Sequence, residues 1–120
     1  MPTKRPLIRI RDIVENGQAI LQYTRGMDFE AYLQSSITRD ASERCLARLS
    51  EASIKLGPTA EELFPAHDWR NIRGVGNVLR HGYEDILDEV VWMIVTDRLP
   101  PLLVELNTFL GQYPDDQETL

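Results

Sequence analysis

The chain has 120 residues, 42% of them hydrophobic and 27% charged, a balance that fits one globular domain with one core and leaves too little length for two. Acidic residues outnumber basic ones 19 to 13, for a formal net charge of -6, which argues against a protein that coats nucleic acid non-specifically, since such binding is driven by lysine and arginine releasing counterions. A single cysteine, Cys45, excludes an internal disulfide and a multi-cysteine metal site.

No apolar run of signal-peptide or membrane-spanning length follows Lys4 and Arg5, so a cytoplasmic protein is expected. From about Pro6 to Thr24, the residues Ile10, Ile13, Val14, Gly17, Ile20, Leu21 and Thr24 recur at three- and four-residue spacing, an apolar or small stripe on one helix. Asp28, after a turn at Gly26 and Met27, suits the N-cap of a helix starting at Phe29. Ala41, Cys45, Leu46, Leu49, Ala52 and Leu56 carry a second helical region to Leu56, with a bend near Ser35 and Ser36; Ser53 falls outside this stripe and Ile54 lies to one side.

Gly57-Pro58-Thr59 stops that region and caps a short helix, Ala60 to Phe64, whose Glu61 and Glu62 suit the positive end of the helix dipole. Pro65 ends it, and Asp68 is the expected N-cap of the next helix, where Trp69, Ile72, Gly76 and Leu79 form a seam with Val75 beside it. Asp88 opens another helix through Val90, Val91, Ile94 and Val95, and Pro100-Pro101 restarts the chain as a last helix with Leu102, Leu103, Leu106 and Leu110. With no strand pair and no internal repeat, the pattern predicts an all-α antiparallel helical bundle, one domain over residues 1–120 with ends frayed at about 1–6 and 113–120.

Acid/base chemistry near neutral pH concentrates in Trp69 to Tyr83, WRNIRGVGNVLRHGY. On a helix Arg73, Asn77 and His81 are successive i, i+4 neighbours and Arg80 lies beside them, which is either a phosphate-handling face or a solvated polar surface. Gly74 and Gly76 each cost a helix interior about 1 kcal/mol relative to alanine, which points to close approach of another backbone, in a helix crossing or a dimer seam. Gly82 should end or distort the helix if His81 and Tyr83 serve one site. Trp69 and Trp92 read as core, Cys45 as a small buried hydrophobe, and His67 as a loop residue. Two histidines without zinc-site spacing, no P-loop and no dinucleotide turn predict neither metal nor cofactor.

Taken with its neighbours, the motif resembles the HepT-like toxins of the HEPN ribonuclease superfamily. The shared landmarks are a first helix ending Gln-Tyr-Thr, Thr38-Arg39-Asp40-Ala41 leading to Leu49-Ser50-Glu51-Ala52, then Trp69-Arg70-x-Ile72, Gly76-Asn77-x-Leu79-x-His81-Gly82-Tyr83, and Val91-Trp92 before Asp97-x-Leu99-Pro100. The resemblance implies a HEPN-like two-fold homodimer and metal-independent endoribonuclease activity on RNA, with one His81 as base and the partner's as acid. The family signature is an arginine, four to six residues, then His-x-Tyr; here Gly74, Val75 and Gly76 stand where the arginine would be, and Arg73 and Arg80 are its candidate replacements, with Asn77 orienting the phosphate. The resemblance also implies a toxin-antitoxin pair, in which an MntA-like nucleotidyltransferase antitoxin adds AMP to Tyr83 and blocks the site. The second reading is a catalytically weakened HEPN module that serves as a dimeric binding partner of a nucleotidyltransferase.

Overall fold

Proline in the first turn and an unbroken apolar stripe make α1 (Pro6–Tyr23), whose Leu7, Ile10, Ile13, Val14, Gly17 and Ile20 are buried. Its end is closed by buried Thr24, whose hydroxyl donates to the Ile20 carbonyl at 2.9 Å, and by Gly26 at φ 76°. The computed structural model describes residues 3–81, 84–114 and 117–120, and for residues 84–87 the backbone only.

Asp28 caps α2 (Phe29–Gln34) as expected, accepting from the Ala31 N–H at 2.8 Å. The expected bend at Ser35 and Ser36 is a break: Ser35 is extended and its hydroxyl accepts from the Thr38 N–H, capping α3 (Ser36–Leu56) anew. Gly57, at φ 62°, ends α3 and leads to α4 (Thr59–Leu63). α5 (Trp69–His81) carries the motif and α6 (Glu84–Met93) follows it.

Two boundaries differ from the sequence reading. α6 begins at Glu84 rather than at Asp88, and the chain does not restart at Pro100-Pro101. It runs through a wider π-type turn, Ile94–Arg98, into α7 (Leu99–Leu110), with both prolines in the first turn of α7. Prolines donate no N–H to the preceding turn and their rings press on it, and the wider turn accommodates both effects.

All regular structure among the described residues is helical. α3 is the central helix, packed along α1 on one side and α5 on the other, while α7 lies across α1. The α1/α7 crossing is close at Gly17, where a Cβ would stand 2.6 Å from Leu103 Cδ2. In the stretch expected to fray, the Leu7 N–H donates to the Glu118 carbonyl and Arg5 pairs with Glu118 at 2.9 Å. No helix among the described residues is long and apolar enough to cross a membrane.

Candidate active site at the end of α5

α5 is held against α3 by three kinds of contact. Gly76 is buried, and a Cβ there would lie 2.4 Å from Ser50 Oγ. The Ser50 hydroxyl donates to the Arg73 carbonyl at 2.8 Å. Arg73 in turn donates to the Ser53 carbonyl at 3.3 Å and the Gly57 carbonyl at 2.9 Å. Residue 76 beside 50, and 73 beside 53 and 57, make the two helices antiparallel.

Ser53 is fully buried in this contact, although the sequence pattern left it outside the core stripe. Buried Ser50 and Ser53 form a small polar side of α3 that lets α5 approach. At the start of α5, Trp69 is 2% exposed and donates to the Phe64 carbonyl at 2.8 Å, as a core tryptophan should. Asp68 gives its carbonyl to the Ile72 N–H, while its carboxylate takes the Asn71 amide at 2.8 Å and Arg98 at 3.3 Å.

The two glycines of the motif have different surroundings. Gly76 meets Ser50 as a close helix crossing requires, whereas Gly74 is exposed with nothing within 4 Å of a Cβ. Close approach within the protomer therefore explains Gly76 and leaves Gly74 open. At 3.6 residues per turn, Gly74 and Asn77 lie within about 40° of His81 around the helix, and all three are exposed. Arg70 is exposed on that same side.

Arg73 and Arg80 share a neighbouring face, about 10 Å apart along the axis, and diverge from there. Arg73 forms a two-pronged ion pair with Glu61, at 2.7 and 2.5 Å, and its guanidinium lies 5.9 Å from the Trp69 ring centroid. The hydrogen bond from Arg73 holds the Glu61 carboxyl below the usual range, and the same bond raises the Arg73 pKa. Its Nε, Nη1 and Nη2 all take part in bonds that join α5 to the α3–α4 turn.

Arg80 is exposed and lines a groove with Arg9, Arg44 and Arg48. The structure thus places Asn77 and His81 on one exposed side of the last turns of α5, with Arg80 on its flank, and turns Arg73 toward Glu61. Gly82 and Tyr83, the expected helix break and the expected modification site, lie outside the described residues. Sequence reasoning missed the groove cations on α1 and α3. Their signal was present, because Arg44, Arg48 and Lys55 stand at i, i+4 and i+11 on one helix face.

Of the other residues singled out from sequence, Cys45 is buried, and half-buried Trp92 packs on Tyr32 and Phe29 at ring-centroid distances of 5.1 and 6.1 Å. His67 lies between α4 and α5, with Nε2 2.6 Å from Glu105 of α7.

A family profile, "Ribonuclease HepT-like", matches residues 13–109. Among curated proteins, "Putative RNase MJ0127" of Methanocaldococcus jannaschii is 27% identical over 118 residues, covering 98% of each chain. "Putative RNase MJ1380" of the same organism is 28% identical over 96 residues, covering 80% of this chain and 88% of that one. "Probable ribonuclease HepT" of Thermococcus cleftensis is 30% identical over 93 residues, covering 78% and 84%. No solved structure matches the chain. The chain belongs to the HepT-like family of HEPN ribonucleases.

Proposed function

We propose that this protein is a metal-independent endoribonuclease, the toxin of a toxin-antitoxin pair, active as a two-fold homodimer in the cytoplasm. The observation that carries the reading is the exposed end of α5, where His81 and Asn77 share a side and Arg80, whose side chain bonds to none of the described residues, flanks them. In the reaction, the ribose 2′-oxygen attacks the adjacent phosphorus and the bond to the 5′-oxygen breaks. A base takes the 2′ proton and an acid delivers one to the leaving oxygen, yielding a 2′,3′-cyclic phosphate and a 5′-hydroxyl.

A single imidazole is base or acid at one instant, so a second copy of His81 across a dimer cleft supplies the other role. Arg80 balances the charge that builds on the phosphoryl oxygens, and Asn77 orients the phosphate. Arg73 supports the site indirectly: its bonds to Glu61, Ser53 and Gly57 hold α5 in register. In this reading Tyr83 is the residue to which an MntA-like nucleotidyltransferase antitoxin adds AMP. A bulky anion two residues from His81 blocks the site sterically and repels phosphate.

Purified protein incubated with RNA in the presence of a chelator tests the reading. Wild type should cleave, and His81→Ala should lose about 10²–10⁴-fold in rate, the usual contribution of one general acid or base. Equal rates for the two proteins would contradict it. Absence of AMP on Tyr83, by intact mass after incubation with ATP and the nucleotidyltransferase, would remove the regulatory part alone.

A further inference from the structure

The cations of this acidic chain fall into groups once their partners are traced. Arg5, Arg73 and Arg98 are paired with Glu118, Glu61 and Asp68. Arg11 donates to the carbonyls of Gln117 and Pro114, and Arg39 to that of Leu33. These five fasten one element to another.

A different five, Arg9, Arg44, Arg48, Lys55 and Arg80, line a single groove of about 380 Å³ between α1, α3 and the end of α5. None of their side chains takes part in a hydrogen bond or ion pair with a described residue, and the Arg9 Nε is buried with no partner. Burying a donor this way is costly, and an acceptor entering the groove would relieve that cost. Two carboxylates, Asp12 and Glu51, share the groove, so its cations exceed its anions even though the chain as a whole carries -6. At physiological salt, charges more than about 8 Å away are largely screened, so the groove presents its own sign.

We propose that this groove is a track for the phosphodiester backbone of a single RNA strand, delivering the strand to His81. The proposal rests on the ribonuclease reading and adds where the substrate lies. From Arg44 to Lys55 the α3 face extends about 16 Å, enough for several nucleotides. The antiparallel register that sets Gly76 on Ser50 brings Arg80 level with Leu46 and Ala47, at the Arg44 end of the groove, so the track ends at Arg80, the residue next to His81 in the chain. Guanidinium groups bind phosphate through paired N–H donors, and four of the five cations are arginines. The lining has no aromatic ring on which a base could stack, so the track grips backbone and is indifferent to sequence.

The test uses the full chain carrying His81→Ala, which holds RNA uncut, titrated with a labelled single-stranded RNA at several salt concentrations. Five phosphate contacts give a slope of log K against log salt of about -3.5. Arg44→Gln with Arg48→Gln, both exposed and without structural partners, should flatten that slope by about 1.4 and weaken binding by about tenfold or more. Arg25→Gln, exposed and outside the groove, should change affinity by less than about twofold. In the cleaving protein the double substitution should raise KM on a long RNA by a larger factor than it lowers kcat.

Unchanged affinity and slope in the double variant would overturn the track. So would loss of nucleotidyltransferase binding with RNA binding intact, which would make the groove a protein interface. If the wild type binds RNA through the groove and never cleaves it, the track stands and the ribonuclease reading falls. If it cleaves with the double variant's KM unaltered, the track falls and that reading stands.

Discussion

At residue scale, the departure from the family's arginine signature becomes a question of which positions can hold a long side chain. Of Gly74, Val75 and Gly76, the last two are buried, and Gly76 faces Ser50 so closely that even a methyl group collides. Gly76→Ala should destabilise the fold by about 1–3 kcal/mol, the usual cost of overpacking a tight contact. Gly74→Ala should stabilise the protomer by about 1 kcal/mol, since within it the only change is a better helix former in open space. Urea denaturation of the two variants checks both signs. The same geometry separates two attempts at restoring the signature: Gly74→Arg should fold, and Gly76→Arg should not, as far-ultraviolet circular dichroism would show.

The sequence made both glycines suspicious, because helix propensity penalises them equally. It could not tell them apart, since only the partner helix decides which one is crossed. The arginines were illegible for a related reason. Arg73 and Arg80 lie on the same helix face, yet Glu61 on α4 claims one of them, and that partner is set by tertiary packing.

At the scale of elements, α5 is positioned by α3 and α4, and the Arg73–Glu61 pair is the polar part of that attachment. The Glu61 pKa is lowered in the folded protein, so its contribution to stability is present above its ordinary value of 4.5 and is lost as pH falls through the depressed folded value. Glu61→Gln should therefore lower the melting temperature at pH 7, and the gap between variant and wild type should close as pH falls below the ordinary carboxylate value of 4.5 and through the depressed folded one. The pair is half exposed on its carboxylate side, which keeps the effect small. A gap that persists unchanged at low pH would show that Glu61 acts by packing.

Element existence and order were legible, because apolar spacing, Asp28, Gly57 and the prolines each act locally. The start of α6 and the π-type turn were not, for Pro100-Pro101 is ambiguous between a new helix and a first turn reached without a break. Ser53 was misplaced for a similar reason: a serine reads as surface until Gly76 and Arg73 of α5 cover the side of α3 on which it lies.

At the scale of the whole molecule, an acidic chain carries a cationic groove by tying some arginines to partners and leaving others unpaired among the described residues. The composition alone concealed this, because net charge sums over surfaces that salt screens from one another. The exposed side of α5, with Arg70, Gly74, Asn77 and His81, is where a second copy would complete a two-histidine site. Activity per chain should then fall on dilution below the dimer dissociation constant, as rate measured against protein concentration would reveal.

The central claim is that His81 cleaves RNA by using the neighbouring 2′-hydroxyl. Its most direct test is the cleavage rate on a single-stranded RNA and on the same sequence with every 2′-hydroxyl methylated, for wild type and His81→Ala in chelator. The account predicts cleavage in one case, unmodified RNA with wild-type protein, with a 2′,3′-cyclic phosphate on the product. Cleavage of the methylated strand, or wild-type rates from His81→Ala, would contradict it.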